Sequence, residues 1–190
     1  FPPGHYYSPI PDLEEIANRK STIWGQKSEA IFGIELNILE QTQLLQKFNQ
    51  YCKDLPFPDE KNPEFRYFFN NGFYSYADGF FLYCMIRHLN PKRIIEVGSG
   101  FSSALMLDTN NLFYDDKIHL TFIEPNCERL YSLLRKEDRT NTLIVEKQVQ
   151  TIDKTIFESL TQNDILFIDS SHVVKTGGDL NFLLFEILPC

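Results

Sequence analysis

Residues 94–103, IIEVGSGFSS, restrict the fold of this chain more than any other segment. A strand-like run of β-branched residues passes directly into Gly98-x-Gly100 and then into a helix start, the construction by which a parallel strand feeds a crossover helix. Glycine at 98 lets the chain turn tightly at the strand's carboxyl end, and glycine at 100 lets a ligand approach the backbone. Ser102 and Ser103 are placed to cap the helix, whose amides face the same crevice.

The surrounding pattern agrees. The runs at 93–97, 118–123, 142–146 and 164–169 are short, rich in β-branched or aromatic residues and mostly apolar without clean alternation. Parallel strands covered on both faces read this way. Between them lie SSALMLDTNNLF, NCERLYSLLRKEDR and TIDKTIFESL, each long enough for a crossover helix. After the fourth run, Leu180, Leu183, Leu184, Ile187 and Leu188 form one apolar helical stripe. The succession predicts an α/β fold with a Rossmann-like, doubly wound, mostly parallel sheet.

Upstream, FPPGHYYSPI reads as an extended arm, with His5, Tyr6 and Tyr7 able to dock on the body of the protein. Asp12 to Lys20 reads as a short polar helix. A longer amphipathic segment carries Leu44, Phe48, Tyr51, Cys52 and Leu55, and Pro56 and Pro58 stop it. The run KNPEFRYFFNNG at 61–72 mixes breakers with aromatics, so the boundary is placed there: an arm and helical cap over 1–72, and a core over 73–190. Ser75 followed by Asp78 signals the start of the helix GFFLYCMIRHL, which Pro91 ends. Because the fourth strand would leave an apolar edge, the natural protein is expected to continue past Cys190 with at least one more strand; a covering dimer mate is the alternative. The Phe at position 1 likewise leads to the expectation that residues precede it.

Composition narrows the partners. With 190 residues the chain holds one domain plus an appendage. Lys and Arg number 18 against 26 Asp and Glu, for a net charge of -8 and with no basic run, which argues against nucleic acid. No apolar stretch approaches the roughly 18 residues of a membrane span, and FPPGHYY lacks the plan of a signal peptide, so no membrane partner is expected. Cys52, Cys84, Cys127 and Cys190 form neither a C-x-x-C pair nor a disulfide framework, which fits thiols in a reducing cytoplasm.

The candidate chemistry clusters at the strand ends. Glu96 lies two residues before Gly98, where a carboxylate opposes a pyrophosphate and attracts a sulfonium and an ammonium. Position 103 is Ser, where the dinucleotide fingerprint asks for Gly or Ala. Both features favour S-adenosylmethionine over NAD. Glu124 ends LTFIEP about 25 residues after the glycine turn, a spacing suited to a ribose ligand, although a helix-start carboxylate reads the same way. After the third strand, Val149 and Gln150 are placed to run past an adenine. DILFIDSSH ends at Asp169 and His172, a pair suited to removing a proton from a hydroxyl nucleophile. Asp169 could instead cap its loop or ligate a divalent cation.

These residues together resemble class I S-adenosylmethionine-dependent methyltransferases, and within them the bacterial type 24 group. The E-x-G-x-G of Glu96, Gly98 and Gly100, the FIEP ending in Glu124, the FIDSSH of 167–172, the leader GHYYSPIPD and FYSYADG at 73–79 fall in that group's order. The resemblance implies methyl transfer to a small-molecule acceptor. It assigns cofactor contacts to Ser75, Tyr76, Glu96, Gly98, Ser99, Gly100, Ser102 and Glu124. It leaves a metal undecided, with Asp169 as the candidate ligand.

Overall fold

The computed structural model describes residues 2–5, 8, 10–25 and 33–189. Tyr6, Tyr7 and Cys190 lie outside them, and with them the docking expected of the arm's tyrosines and the fourth thiol. The chain divides into two compact units, Phe1–Gln43 and Leu44–Cys190.

The first unit holds α1 (Leu13–Asn18), α2 (Lys20–Ile23) and the start of α3 (Ile38–Cys52). Asp12 caps α1, its Oδ1 accepting from the amides of Glu14 and Glu15 at 2.8 and 3.2 Å. That is the usual role of Asp just before a first helical turn.

The second unit contains α4 (Tyr76–Leu89), β1 (Arg93–Val97), α5 (Phe101–Tyr114), β2 (His119–Ile123), α6 (Glu128–Leu133), α7 (Asp138–Asn141), β3 (Leu143–Val145), β4 (Ile165–Ile168) and α8 (Asp179–Phe182). All strand pairs are parallel, in the order β3-β2-β1-β4. Chain order therefore reverses between β1 and β4, the switch point at which doubly wound sheets open a crevice. Ile94 packs into one core with Leu82, Ile86, Leu105, Met106 and Phe122. Ile95 and Val97 pack into a second core with Ile123, Phe157 and Leu183. Adjacent residues of β1 thus serve opposite faces, as strand geometry requires.

Three expectations change. The boundary placed after residue 72 falls instead between Gln43 and Leu44. Residues 44–72 supply Phe48, Phe57, Tyr67 and Phe69 to the first core, where Phe57 meets Tyr67 edge-to-face at 5.0 Å and Tyr83 at 5.7 Å. The aromatics that read as a junction are core. The crossover TIDKTIFESL is not an α-helix but two 3-10 turns, Val149–Thr151 and Lys154–Ser159. Asp153 between them accepts from the Thr155 amide and starts a fresh turn. The last apolar stripe also shifts. After α8 the chain widens into a π turn, with the Leu188 amide donating to the Leu183 carbonyl at 2.9 Å. Phe182, Leu183 and Ile187 are buried, and Leu184 and Leu188 are exposed.

Segment 64–67 is tied to α5 and α7 by a buried charge cluster that no sequence spacing revealed. Arg66 donates through Nη1 to Asp108 at 2.6 Å, and through Nη2 and Nε to Asp138 at 2.6 and 2.8 Å. The second Asp108 oxygen accepts from the amides of Arg66 and Tyr67 at 2.7 and 2.8 Å. Burial works against the Arg66 charge, but Asp138 and Asp108 outweigh it and hold the guanidinium above its ordinary value. Asp108→Asn turns an amide group toward one of these donors and is expected to cost about 2–3 kcal/mol, read as a lowered urea midpoint at unchanged slope.

Candidate active site

The parallel register sets the site. Val97 pairs with Ile123 on one side and Ile168 on the other, so Gly98, Glu124 and Asp169 emerge side by side at the carboxyl edge of the sheet. The ladder runs one residue further: the amides of Gly98, Glu124 and Asp169 donate to Ile123, Val145 and Val97 at 2.9, 3.1 and 2.9 Å. Beyond them opens a crevice of about 470 Å³, within the range of small-molecule sites. Gly98, Glu124, Val149, Gln150 and Asp169 all line it.

Gly98 has φ +88, and a methyl group there would lie 1.9 Å from the Asp169 carbonyl oxygen. The first glycine turn and the end of β4 are therefore in direct contact. Glu124 is half-buried and held through both oxygens, Oε2 accepting from the Ser99 amide at 3.1 Å and Oε1 from the Asn126 amide at 2.8 Å. Each oxygen keeps a lone pair for a further donor. At the end of β4, His172 Nε2 stands 2.9 Å from Asp169 Oδ1. His172 takes a left-handed backbone, φ 56, which turns its ring back toward the strand end. Its side chain is 67% exposed, and it stands at the rim rather than in the crevice wall.

Other residues sit elsewhere. Glu96 does not face the crevice. It is fully buried on the face of β1 that α5 covers, accepting from Ser102 Oγ at 2.5 Å and also from Ser103 Oγ. Strand parity explains this: Glu96 shares the face of Ile94, not that of Val97. Burial pushes its carboxyl up to about 8, against the pull of the serine hydroxyls. The attraction for a cation that the sequence assigned to Glu96 is thus lost, because the group is neutral at pH 7. Ser102 spends its hydroxyl on Glu96, whereas Ser103, at the third position of α5, accepts from the Gly100 amide at 2.9 Å and so caps the helix start as expected. Ser75 takes the N-cap position of α4 without a side-chain capping bond. Tyr76 stacks on Phe69 at 5.4 Å, and neither Ser75 nor Tyr76 lines the crevice. Ser99 lines a second hollow that shares Glu124, Pro125 and Asn126 with the crevice. Gly100, at φ 174, is extended, and its open side faces Arg129.

The fold also brings in residues that the sequence did not single out. Lys175, Gly177 and Gly178 close the crevice from the loop after β4, and Asp179 from the first position of α8. Gln150 Nε2 donates to the Gly177 carbonyl at 3.1 Å, and Asp179 accepts from the Ser171 amide and hydroxyl at 2.9 and 2.6 Å. Burial opposes ionisation of Asp179, but these bonds prevail and hold it down to about 2. No periodicity could have marked these residues, because a loop and the first residue of a short helix reach the site only through tertiary contact. Cys84 and Cys127 are buried thiols and Cys52 is exposed. Among the described residues no helix is long and apolar enough to cross a membrane, and no three His, Cys, Asp or Glu side chains gather as a metal set.

A parallel sheet in the order β3-β2-β1-β4, with a glycine turn opening on a crevice at its switch point, defines a Rossmann-like α/β protein. The chain is 36% identical over 170 residues to an uncharacterized protein of Archaeoglobus fulgidus, covering 87% of this chain and 76% of that protein. It belongs to that protein's family. No family model matches the chain. Among solved structures it is similar to the SAH-bound Podospora anserina methyltransferase PaMTH1, with a TM-score of 0.41 and 19% identity over 93% of this chain. It spans 66% of that protein's length.

Proposed function

We propose that this protein is an S-adenosylmethionine-dependent methyltransferase that acts on a hydroxyl of a small molecule. The observation that carries the reading is the charge of the crevice at the glycine turn: among the described residues, Glu124, Asp169 and Asp179 line it against Lys175 as the one cation. Such a surface disfavours a pyrophosphate and favours a sulfonium and an ammonium. Glu124 and Asp169, which reach the crevice, supply the negative charge that the buried Glu96 does not.

The residues present fit this cofactor. Glu124, anchored from below by two amides, has lone pairs left for both ribose hydroxyls. Val149 is buried and gives an apolar wall for a base, and the Gln150 carbonyl oxygen is left as an acceptor beside it. When bound, the cofactor supplies an electrophilic methyl group. Holding donor and acceptor together can contribute on the order of 7–11 kcal/mol, so positioning is the chain's main task. Asp169 Oδ1 accepts a hydrogen bond from the Nε2–H of His172, a tautomer that leaves the Nδ1 lone pair to accept the hydroxyl proton.

Calorimetry with S-adenosylhomocysteine and with NADH, followed by transfer of labelled methyl to a pool of hydroxyl-bearing acceptors, tests the reading. Uptake of the homocysteine nucleoside and labelling of the pool are expected; uptake of NADH alone overturns it. His172→Ala is expected to leave nucleoside affinity unchanged and slow turnover by about 10²–10⁴-fold. Normal turnover in that variant would remove His172 as the base.

A further inference from the structure

Arg129 occupies the approach to the glycine turn. A methyl group on residue 100 would lie 3.3 Å from its Cδ and 3.9 Å from its Nη1, so the guanidinium arm fills the open side of Gly100. Its Cζ stands 3.9 Å from the centroid of the Phe73 ring. Phe73 in turn stacks on Phe101, the first residue of α5, at 6.0 Å and 11°. An aromatic face under a guanidinium is attractive and fixes its plane, yet leaves its N–H edge unspent. Among the described residues no carboxylate lies within 4 Å of that edge, although Glu124 and Glu128 line the same hollow.

The position has a chemical meaning if a sulfur nucleoside rests its ribose on Glu124. Its amino-acid portion then runs toward Gly98 and Gly100. The ammonium is served by the acids of the crevice, but the carboxylate needs a cation, and Arg129 brings one to Gly100. We propose that Arg129, braced by Phe73, binds the carboxylate of the cofactor's amino-acid portion. This rests on the reading of the crevice as an S-adenosylmethionine site. A guanidinium suits the task because its planar fork meets both oxygens of a carboxylate.

The test compares two ligands by calorimetry: S-adenosylhomocysteine, and 5′-methylthioadenosine, which keeps the sulfur nucleoside and lacks the amino-acid portion. Arg129→Met is expected to weaken the first by about 10–30-fold and to leave the second within about twofold, a loss the size of one charge-assisted contact. Arg129→Lys is expected to restore part of the affinity, and Phe73→Leu to show a smaller loss confined to the homocysteine nucleoside. Equal losses for both ligands, unchanged affinity for the first, or a selective loss that appears in Lys175→Met instead would each overturn the proposal. Wild-type protein that takes up neither ligand would overturn the cofactor reading itself, an outcome distinct from all of these.

Discussion

Gly98→Ala is expected to lose cofactor binding and much of its stability together. The added Cβ would lie 1.9 Å from the Asp169 carbonyl oxygen and 2.7 Å from its carbonyl carbon, with backbone rather than a yielding side chain on the far side. The left-handed φ of +88 adds strain for any L-residue with a side chain. Relief requires β1 and β4 to part at their carboxyl ends, where the Asp169 amide donates to Val97 at 2.9 Å. Overpacking against backbone combined with forced φ places the cost at about 4 kcal/mol or more. Chemical denaturation should show it as a large fall in midpoint, and calorimetry on the folded fraction should show no uptake of S-adenosylhomocysteine. A variant that melts with the wild type would mean that the turn does not abut β4.

The second large effect is a dependence of stability on pH that Glu96 imposes. In the unfolded chain its carboxyl releases a proton from about 4.5 upward, whereas in the folded protein burial retains it to about 8. Between those values the folded state binds the extra proton, so stability is greatest below about 4.5 as far as this group is concerned and declines as pH rises through 8. A displacement of that size corresponds to on the order of 5 kcal/mol across the window. Glu96→Gln keeps the shape and cannot ionise. Urea midpoints measured from pH 5 to 8.5 should therefore fall steeply for the wild type and much less for the variant. Parallel curves for the two proteins would show that the group ionises freely in the fold.

Both effects arise within one decapeptide, yet they were legible to different degrees. The glycine turn was readable because φ > 0 and close approach demand glycine wherever the chain reverses at a strand end, and that demand is local. Glu96 was misplaced because its residue type announces a charge, whereas its position in the strand's two-residue alternation puts it under α5. The aromatic run at 61–72 misled for a related reason. Phe65, Tyr67 and Phe69 look alike whether they line a junction or fill a core, and only their edge-to-face contacts with Phe57 decide.

Local pattern by itself determined the alternation of strand and helix, the parallel sheet and the glycine turn, because backbone conformation and apolar periodicity act over a few neighbours. The tertiary structure alone decided register, which sets Gly98, Glu124 and Asp169 level along one edge from positions up to 71 residues apart. It also decided which carboxylates keep their charge, since solvation depends on what packs against a group and not on its neighbours in the chain. The arrival of Lys175 and Phe73 from loops, and of Arg129 from the first turn of α6, depended likewise on how the elements pack and not on local pattern.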